Sequence, residues 1–356
     1  MEIKIIASIV GARPQFMKAA PVSRALSLHF KEVFIHTGQH YDYGMSDVFF
    51  DELKMRLPDF NLGIGGGSHG EQTGKMIIEL EKIFNEIKPD CVLVYGDTNS
   101  TLAGALTAAK AQIPLAHVEA GLRSYNRAMP EEINRVLVDH MSTLLFCPTD
   151  AAVKNLVKEG IEKGVHRVGD VMADTLLHNL QLVDTKSKII HQLNLEKGLY
   201  ALATIHRASN TDEKENLRLI LSALGRLSSR VVFPIHPRTR KKMQEWEMSV
   251  NSNVTMIDPV GHFDMLALES NANCILTDSG GIQKEAYLVG VRCITLREET
   301  EWVETVNAGW NRVVGVDVEQ IVDSFESWFP QSERVPLYGD GHAADQICGI
   351  LSSTLK

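Results

Sequence analysis

Short, continuously apolar runs rich in β-branched residues alternate along this chain with longer amphipathic stretches. The apolar runs lie at residues 3–10, 33–35, 91–95, 115–118 and 144–147 in the first half, and at residues 200–204, 231–234, 254–257, 274–276 and 292–296 in the second. A strand without a polar side is covered on both faces, as in parallel sheets flanked by helices. Because helical patterns separate the runs, each pair of strands is joined by a right-handed crossover. The pattern predicts an α/β protein with two doubly wound domains.

The chain length of 356 residues suits two domains, at about 150 residues for each. Residues 179–194 are polar and weakly patterned, and they follow a strand-like run at residues 165–168. We therefore predict an N-terminal domain of residues 1–170 and a C-terminal domain of residues 171–340. No strand-like run follows the last helical stretch, so residues 341–356 are expected to pack back onto the first domain.

Composition excludes several classes of protein. Hydrophobic residues make up 44% of the chain and charged residues 23%, which is ordinary for a globular protein. The apolar runs are too short to span a membrane, no signal-peptide pattern is present, and the five cysteines are scattered without CxxC spacing. A formal charge of −9 argues against general nucleic-acid binding. These features predict a cytoplasmic protein that binds neither membrane nor nucleic acid.

Several familiar motifs are incomplete here. Residues 66–70 match GxSxG, but a poor strand precedes them, so a flexible glycine-rich loop is the better interpretation. Residues 70–75 resemble a P-loop that is one residue short and lacks the Ser or Thr for magnesium. No GxGxxG follows the first strand, and His36 and His40 lie in a turn without further ligands. We therefore predict no metal and no redox cofactor.

Polar clusters follow the predicted strands in both halves, where ligands of open α/β sheets bind. This distribution predicts a site in the cleft between the two domains. In the second half, Ser279, Gly280 and Gly281 open a helix whose N-terminus suits a phosphate, and Glu285 could accept from ribose hydroxyls. A capped helix with nothing bound would look the same. In the first half, Arg13 follows the first strand and could neutralise a diphosphate.

Carboxylates form the second group of candidates. Asp97 and Glu119 each follow a buried strand, and Glu131 begins a helix on which Arg135 lies one turn later and can pair with it. Carboxylates crowded together change one another's pKa values and supply acid/base partners. His206 and His236 follow two further strands, where they are either ligand-binding or merely structural.

The motifs together resemble the non-hydrolysing UDP-N-acetylglucosamine 2-epimerases over nearly the whole chain, in the right order. The segments that carry the resemblance are GARP, GDTNSTLAGAL, HVEAGLRS, MPEEINR, LATIHR, HPRT and TDSGGIQKEA. The resemblance implies two Rossmann-like domains similar to GT-B glycosyltransferases, with the nucleotide bound mainly by the second.

The resemblance also implies roles for individual residues. Ser279, Gly280, Gly281 and Glu285 would hold the diphosphate and ribose, and Arg13 would reach the phosphates. Phe263, expected in a loop after the strand at residues 254–257, would flank the uracil. Asp97, Glu119 and Glu131 match the acid/base carboxylates, Arg135 and His206 are supporting charges, and His236 matches a further cleft position. We also predict a homodimer.

The exact sugar stays open at this level. The opening motif has Ala12 and Gln15 where many members have Thr and Glu, and residues 40–46 depart from the stretch that forms an allosteric site in some bacterial members. These departures, with residues 68–70 and 73–76, resemble the branch that acts on UDP-2,3-diacetamido-2,3-dideoxy-glucuronate. A hydrolysing epimerase, a GT-B glycosyltransferase and a non-catalytic nucleotide-sugar sensor are the alternatives.

Overall fold

The computed structural model describes residues 3–39 and 55–355. Of Arg13, it describes only the backbone. The chain divides into two compact units, and each is described by itself. The first unit comprises Met1–Thr175 with Tyr338–Lys356, and the second comprises Leu176–Leu337.

The described strands of the first unit form one parallel sheet in the order β3-β2-β1-β4-β5-β6-β7. They are β1 (Ile5–Val10), β2 (Lys31–His36), β3 (Phe60–Asn61), β4 (Cys91–Tyr95), β5 (Leu115–Val118), β6 (Leu144–Cys147) and β7 (Val165–Arg167). The strand β3 was not expected from the sequence, because two residues carry no pattern.

Helices connect these strands, and three of them begin at a Ser or Thr that caps the helix. They are α1 (Arg13–Leu26), α2 (His69–Ile87), α3 (Asn99–Lys110), α4 (Pro130–Met141), α5 (Asp150–Lys158) and α6 (Val171–Lys186), which continues into the second unit. The hydroxyls of Ser68, Thr98 and Thr149 accept hydrogen bonds from backbone N–H groups at the starts of α2, α3 and α5.

Both faces of the first sheet are covered, which explains the continuous apolar runs. On β4, Leu93 and Tyr95 pack into one core with α1, whereas Val92 and Val94 pack into another core with α2 and α3. Since side chains alternate along a strand, burial on both faces requires every residue to be apolar.

The C-terminal helix α15 (Ala343–Thr354) belongs to the first unit. The carboxylate of Asp174 accepts the backbone N–H groups of Ala343 (3.1 Å) and Ala344 (2.7 Å) at its start. The Sγ of Cys348 donates to the carbonyl of Ala25 on α1 at 3.4 Å. An N-terminal anchor and an apolar face against α1 therefore hold this helix.

The described strands of the second unit also form a parallel sheet, in the order β10-β9-β8-β11-β12-β13. They are β8 (Tyr200–Thr204), β9 (Arg230–Pro234), β10 (Val254–Ile257), β11 (Cys274–Thr277), β12 (Cys293–Thr295) and β13 (Asn311–Val313). The remaining helices are α7 (Ile189–Gln192), α8 (Ala208–Thr211), α9 (Lys214–Arg226), α10 (Pro237–Glu245), α11 (His262–Asn271), α12 (Gly280–Val289), α13 (Val303–Asn307) and α14 (Val318–Ser327).

One expectation is wrong, and others can now be placed. Phe263 lies in the first turn of α11 and not in a loop. Residues 179–194, which are weakly patterned in the sequence, are largely helical, in α6 and α7. His40 and the other residues of the 40–46 segment lie outside the described residues. All five cysteines are buried thiols, and no described helix is long and apolar enough to cross a membrane.

Candidate active site

Three loops of the first unit meet at the carboxyl ends of β1, β4 and β5, and Gln15 joins two of them. Its Oε1 accepts the N–H groups of Gly11 (2.8 Å) and Ala12 (2.9 Å), and its Nε2 donates to the carbonyl of Tyr95 (2.8 Å). A Glu at this position could not supply the donor when ionised. The amide at position 15 therefore fixes the loop after β1 against the end of β4.

Asp97 is held by α4. The guanidinium of Arg135 lies 2.5 Å from its carboxylate, and the side chain of Asn134 donates to its carbonyl at 2.8 Å. The second carboxylate that Arg135 contacts is Glu132, which is buried, whereas Glu131 is exposed in the first turn of α4. The expected Glu131–Arg135 pair is therefore replaced by one three residues apart, because position 132 faces the protein.

Glu119 has an unexpected partner in Lys18. The Lys18 ammonium lies 2.5 Å from the Glu119 carboxylate, and both side chains are largely buried. Burial opposes the charge of Lys18, but Glu119 and then Asp97 outweigh it and raise its pKa. The backbone of Glu119 has φ of +72°, and its N–H donates to the carbonyl of Phe146. Lys18 thus keeps a positive charge beside both strand-end carboxylates.

Lys18 is not among the residues that the sequence motifs indicate for the site. The signal was available, since Lys18 is a lone charge between apolar residues 16–17 and 19–20 on the buried side of α1. A lysine in such a place is buried only when a carboxylate pairs with it.

A second buried ionic group lies beneath the two carboxylates. The Nδ1 of His117 lies 2.7 Å from the carboxylate of Asp139, and its Nε2 lies 2.7 Å from the carbonyl of Gly96. A carbonyl oxygen only accepts, so Nε2 carries a proton. Burial raises the pKa of Asp139, but His117 and then Arg123 outweigh it and lower that pKa. Asp139 is therefore ionised, and its carboxylate is held against the His117 ring.

Asp139 extends this group to the loop after β5. Its other oxygen accepts from the N–H of Gly121 (3.0 Å) and from Arg123 (2.7 Å), and Arg123 also binds Glu159 through two nitrogens. Gly121 has φ of +78°, and a Cβ there would lie 2.4 Å from the carbonyl of Ala152. The network therefore connects Gly96, just before Asp97, with Gly121, just after Glu119.

In the second unit, Asp278 organises the candidate nucleotide site. Its buried carboxylate accepts the backbone N–H groups of His206 (3.0 Å) and Arg207 (3.0 Å) and the side-chain amide of Asn210 (3.1 Å). Asp278 immediately precedes Ser279, the N-cap of α12. It therefore fixes His206 beside the start of that helix.

His206 is half-buried, and its ring lies 5.7 Å from that of His236. Burial lowers the pKa of His206, Asp278 raises it, and His236 and Arg207 lower it further, with a net shift below the usual 6.5. In the free protein the ring is therefore mostly neutral at neutral pH. The positive charge expected from the sequence requires an anion beside it.

The start of α12 is shaped for an anion. The hydroxyl of Ser279 caps the helix, and a Cβ on Gly280 would lie 2.5 Å from the carboxylate of Glu301. That carboxylate also contacts Arg297 at 2.7 Å and Arg207 at 3.4 Å. Arg207, Arg297 and the N-terminus of α12 therefore surround one small region. The carboxylate of Glu301 is the anion that lies there in this structure.

Two further candidates lie on the neighbouring helices. Phe263 is half-buried, and its ring contacts the ring of His262 edge to face at 5.7 Å. Glu285 is half-buried in the second turn of α12. Within the described residues, no cluster of His, Cys, Asp or Glu could hold a metal ion.

Removal of the Ser279 hydroxyl tests the anion site. We expect Ser279→Ala to weaken UDP binding by about 1–3 kcal/mol, because a hydroxyl that donates to a charged phosphate is lost. Titration calorimetry measures this affinity, and Ser270→Ala is the matched control because its hydroxyl donates within α11. Equal affinities for the wild type and Ser279→Ala would mean that Ser279 is only a helix cap.

The two parallel sheets define an α/β fold with two Rossmann-like units of the GT-B-like class. The chain belongs to the UDP-N-acetylglucosamine 2-epimerase family, whose model matches residues 24–352. It is therefore an isomerase of the UDP-sugar 2-epimerase type.

Similar proteins agree over their full lengths. A UDP-N-acetylglucosamine 2-epimerase homolog of Methanococcus maripaludis is 53% identical, covering 97% of this chain and 99% of its own. The UDP-2,3-diacetamido-2,3-dideoxy-D-glucuronate 2-epimerase of Pseudomonas aeruginosa is 45% identical, covering 98% and 99%. The crystal structure of Methanocaldococcus jannaschii UDP-GlcNAc 2-epimerase in complex with UDP-GlcNAc and UDP is 44% identical, with a TM-score of 0.77 and coverage of 99% and 100%.

Proposed function

We propose that this protein is a non-hydrolysing UDP-N-acetylglucosamine 2-epimerase that interconverts UDP-GlcNAc and UDP-ManNAc for surface polysaccharide synthesis. The observation that carries the proposal is the group formed by Lys18, Glu119 and Asp97 at the strand ends of the first unit. Two carboxylates, each paired with a cation, lie together there, and such a pair can supply the acid and base groups of a proton transfer.

The reaction proceeds by elimination and re-addition. A carboxylate removes the proton from sugar carbon 2, a C1–C2 double bond forms, and the C1–O bond breaks with its electron pair going to UDP. Protonation of carbon 2 from the opposite face and return of the UDP oxygen to carbon 1 then give the epimer. Acid/base groups on two faces of the ring are needed, for which Asp97, Glu119 and Glu131 are the candidates.

The departing diphosphate also needs stabilisation. We assign this role to Arg13, the start of α12 with Ser279, Gly280 and Gly281, and His206, which is protonated once the anion is beside it. Arg135 orients Asp97, Glu285 binds the ribose, and Phe263 flanks the uracil. His236 contacts the His206 ring and belongs to the same region.

A second UDP-sugar, a diacetamido-glucuronate, is also a candidate substrate, supported by one relative and one residue contact. The Pseudomonas relative acts by name on UDP-2,3-diacetamido-2,3-dideoxy-D-glucuronate, and it is as similar to this chain as the relatives named for UDP-GlcNAc at 43–44%. His69, one of the residues that favour this branch, contacts Asn99 at 3.1 Å, two residues after Asp97. His69 is therefore placed to bind a substituent of the sugar.

Proton NMR in deuterium oxide tests the proposal with each of the two UDP-sugars. We expect deuterium at carbon 2 of the UDP-linked epimer, because the abstracted proton exchanges with solvent before the opposite face is protonated. An epimer without deuterium at carbon 2 would contradict elimination. Free sugar with UDP, and no UDP-linked epimer, would indicate the hydrolysing reaction. The ratio of kcat/KM for the two substrates identifies the preferred sugar.

We also propose that the enzyme works in the cytoplasm as a homodimer. Ile133 and Leu137, one turn apart on α4, are 48% and 46% exposed, and an apolar stripe of this kind is typical of a surface that another subunit covers. Light scattering of the purified protein measures the assembly.

A further inference from the structure

Glu301 is an acid of the second unit that the mechanism above does not use. Its carboxylate lies 2.7 Å from the guanidinium of Arg297 and 3.4 Å from that of Arg207, and a Cβ on Gly280 would lie 2.5 Å from its Oε1. The three contacts come from different segments, since Arg297 follows β12, Arg207 follows β8 and Gly280 begins α12. One carboxylate is therefore held where two cations and the start of a helix converge.

Arg297 is the most buried of these charged groups. Its side chain is 15% exposed, and the ion pair places the carboxylate of Glu301 against its Nη1. A guanidinium stays charged, so its burial costs free energy unless an anion lies beside it. A ligand that moves Glu301 away must therefore supply an anion of its own. A diphosphate does so, because it carries more charge and more acceptor oxygens than a carboxylate.

The backbone beside Glu301 is fixed, whereas its side chain has room to turn. The hydroxyl of Thr300 donates to the buried side chain of Gln283 on α12 at 2.5 Å, but the Glu301 side chain is 46% exposed. Since ion pairs of exposed groups contribute little, the carboxylate can turn into solvent at a small cost. Among the described residues, a Cβ on Gly281 would approach only the Ser279 hydroxyl, at 3.8 Å, so space for a ligand adjoins the helix start.

We propose that Glu301 is an internal competitor of the nucleotide, which occupies the diphosphate site in the free protein and gives up Arg297 to the diphosphate when UDP binds. This inference rests on the proposed function, in which the start of α12 holds the diphosphate. It assigns to Arg297 a role in nucleotide binding that the sequence motifs do not indicate. The exchange keeps Arg297 paired in both states, and it lowers the affinity for UDP by the free energy that displaces Glu301.

The test measures the affinities of the wild type and Glu301→Gln for UDP and for uridine by titration calorimetry. This substitution keeps the shape of the side chain and removes the competing charge. We therefore expect Glu301→Gln to bind UDP about fivefold more tightly, which corresponds to about 1 kcal/mol. Uridine has no phosphate, so its binding, strong or weak, should be the same in both proteins. Glu299→Gln is the matched control, because it removes the same charge from an exposed position of the same segment and should change neither affinity.

Thermal unfolding gives a second, independent measurement. Without nucleotide, Glu301→Gln should melt at a lower temperature than the wild type, because Arg297 loses its anion. Saturating UDP should then raise the melting temperature of this variant by more than that of the wild type, since the diphosphate supplies the missing anion. Arg297→Gln should weaken UDP binding and reduce the effect of Glu301→Gln in the double variant, since both changes act on one ion pair.

Other outcomes would overturn the inference. It is wrong if Glu301→Gln weakens UDP binding, because Glu301 would then hold its arginines in place for the nucleotide. It is also wrong if Glu301→Gln binds UDP as the wild type does, because the ion pair would then be only a surface contact. An equal gain for uridine, or in Glu299→Gln, would contradict competition for the diphosphate site. Each of these results refutes this inference alone, whereas a wild type that binds no UDP would refute the proposed function as well.

Discussion

Asp97→Asn and Glu119→Gln are each expected to lower turnover by about 100-fold or more. Both substitutions keep the shape of the side chain and remove the group that titrates. The reason for a large effect is geometric, because Arg135 holds Asp97 and Lys18 holds Glu119 at the same edge of the sheet. Glu131→Gln is expected to show a similar loss if its exposed carboxylate also transfers a proton.

Steady-state kinetics with UDP-GlcNAc measures the turnover of each variant, and circular dichroism measures its folding. Glu86→Gln, an exposed position on α2, is the matched control and should keep full activity. Asp97→Asn should fold like the wild type, whereas Glu119→Gln leaves the buried Lys18 without its carboxylate and should melt at a lower temperature, so turnover is compared below that temperature. If all three variants keep wild-type turnover, these carboxylates are not the acid/base groups.

His117→Leu is expected to lower the free energy of unfolding by about 3–5 kcal/mol, because removal of one partner leaves a buried charge on Asp139 poorly compensated. Turnover should also fall, since Gly96 and Gly121 lose the network that fixes the loops of Asp97 and Glu119. Urea unfolding and kinetics of the same variant measure the two effects. His140→Leu is the control, because His140 is exposed on α4.

The difference in free energy of unfolding between the wild type and His117→Leu should change with pH in a known direction. In the folded protein, burial raises the pKa of Asp139, but His117 and Arg123 lower it by more, so that its net pKa is below the ordinary value. Its stabilisation is therefore present above the unfolded value of about 3.9 and is lost as the pH falls through the lower folded value. The stability difference between the wild type and His117→Leu should shrink below about pH 4. A difference that stays constant down to pH 2 would show that the charge of Asp139 is not involved.

Prediction from the sequence succeeded where periodicity and burial agree. The strands at residues 91–95, 115–118, 144–147 and 200–204 have the bounds that their apolar runs indicate, because strands covered on both faces admit only apolar residues. It failed for β3 and β13, since two or three residues at a sheet edge carry no period. The weak pattern of residues 179–194 indicated no element, and these residues are largely helical, because most helical stability comes from tertiary packing.

For the candidate site, the order of apolar runs and polar clusters is enough to predict which residues lie at strand ends. It does not predict their partners. Arg135 pairs with Asp97, 38 residues away, and Lys18 pairs with Glu119. Local periodicity indicates the face of an element on which a residue lies. A salt bridge depends instead on which distant segment the fold brings within about 3 Å of that face.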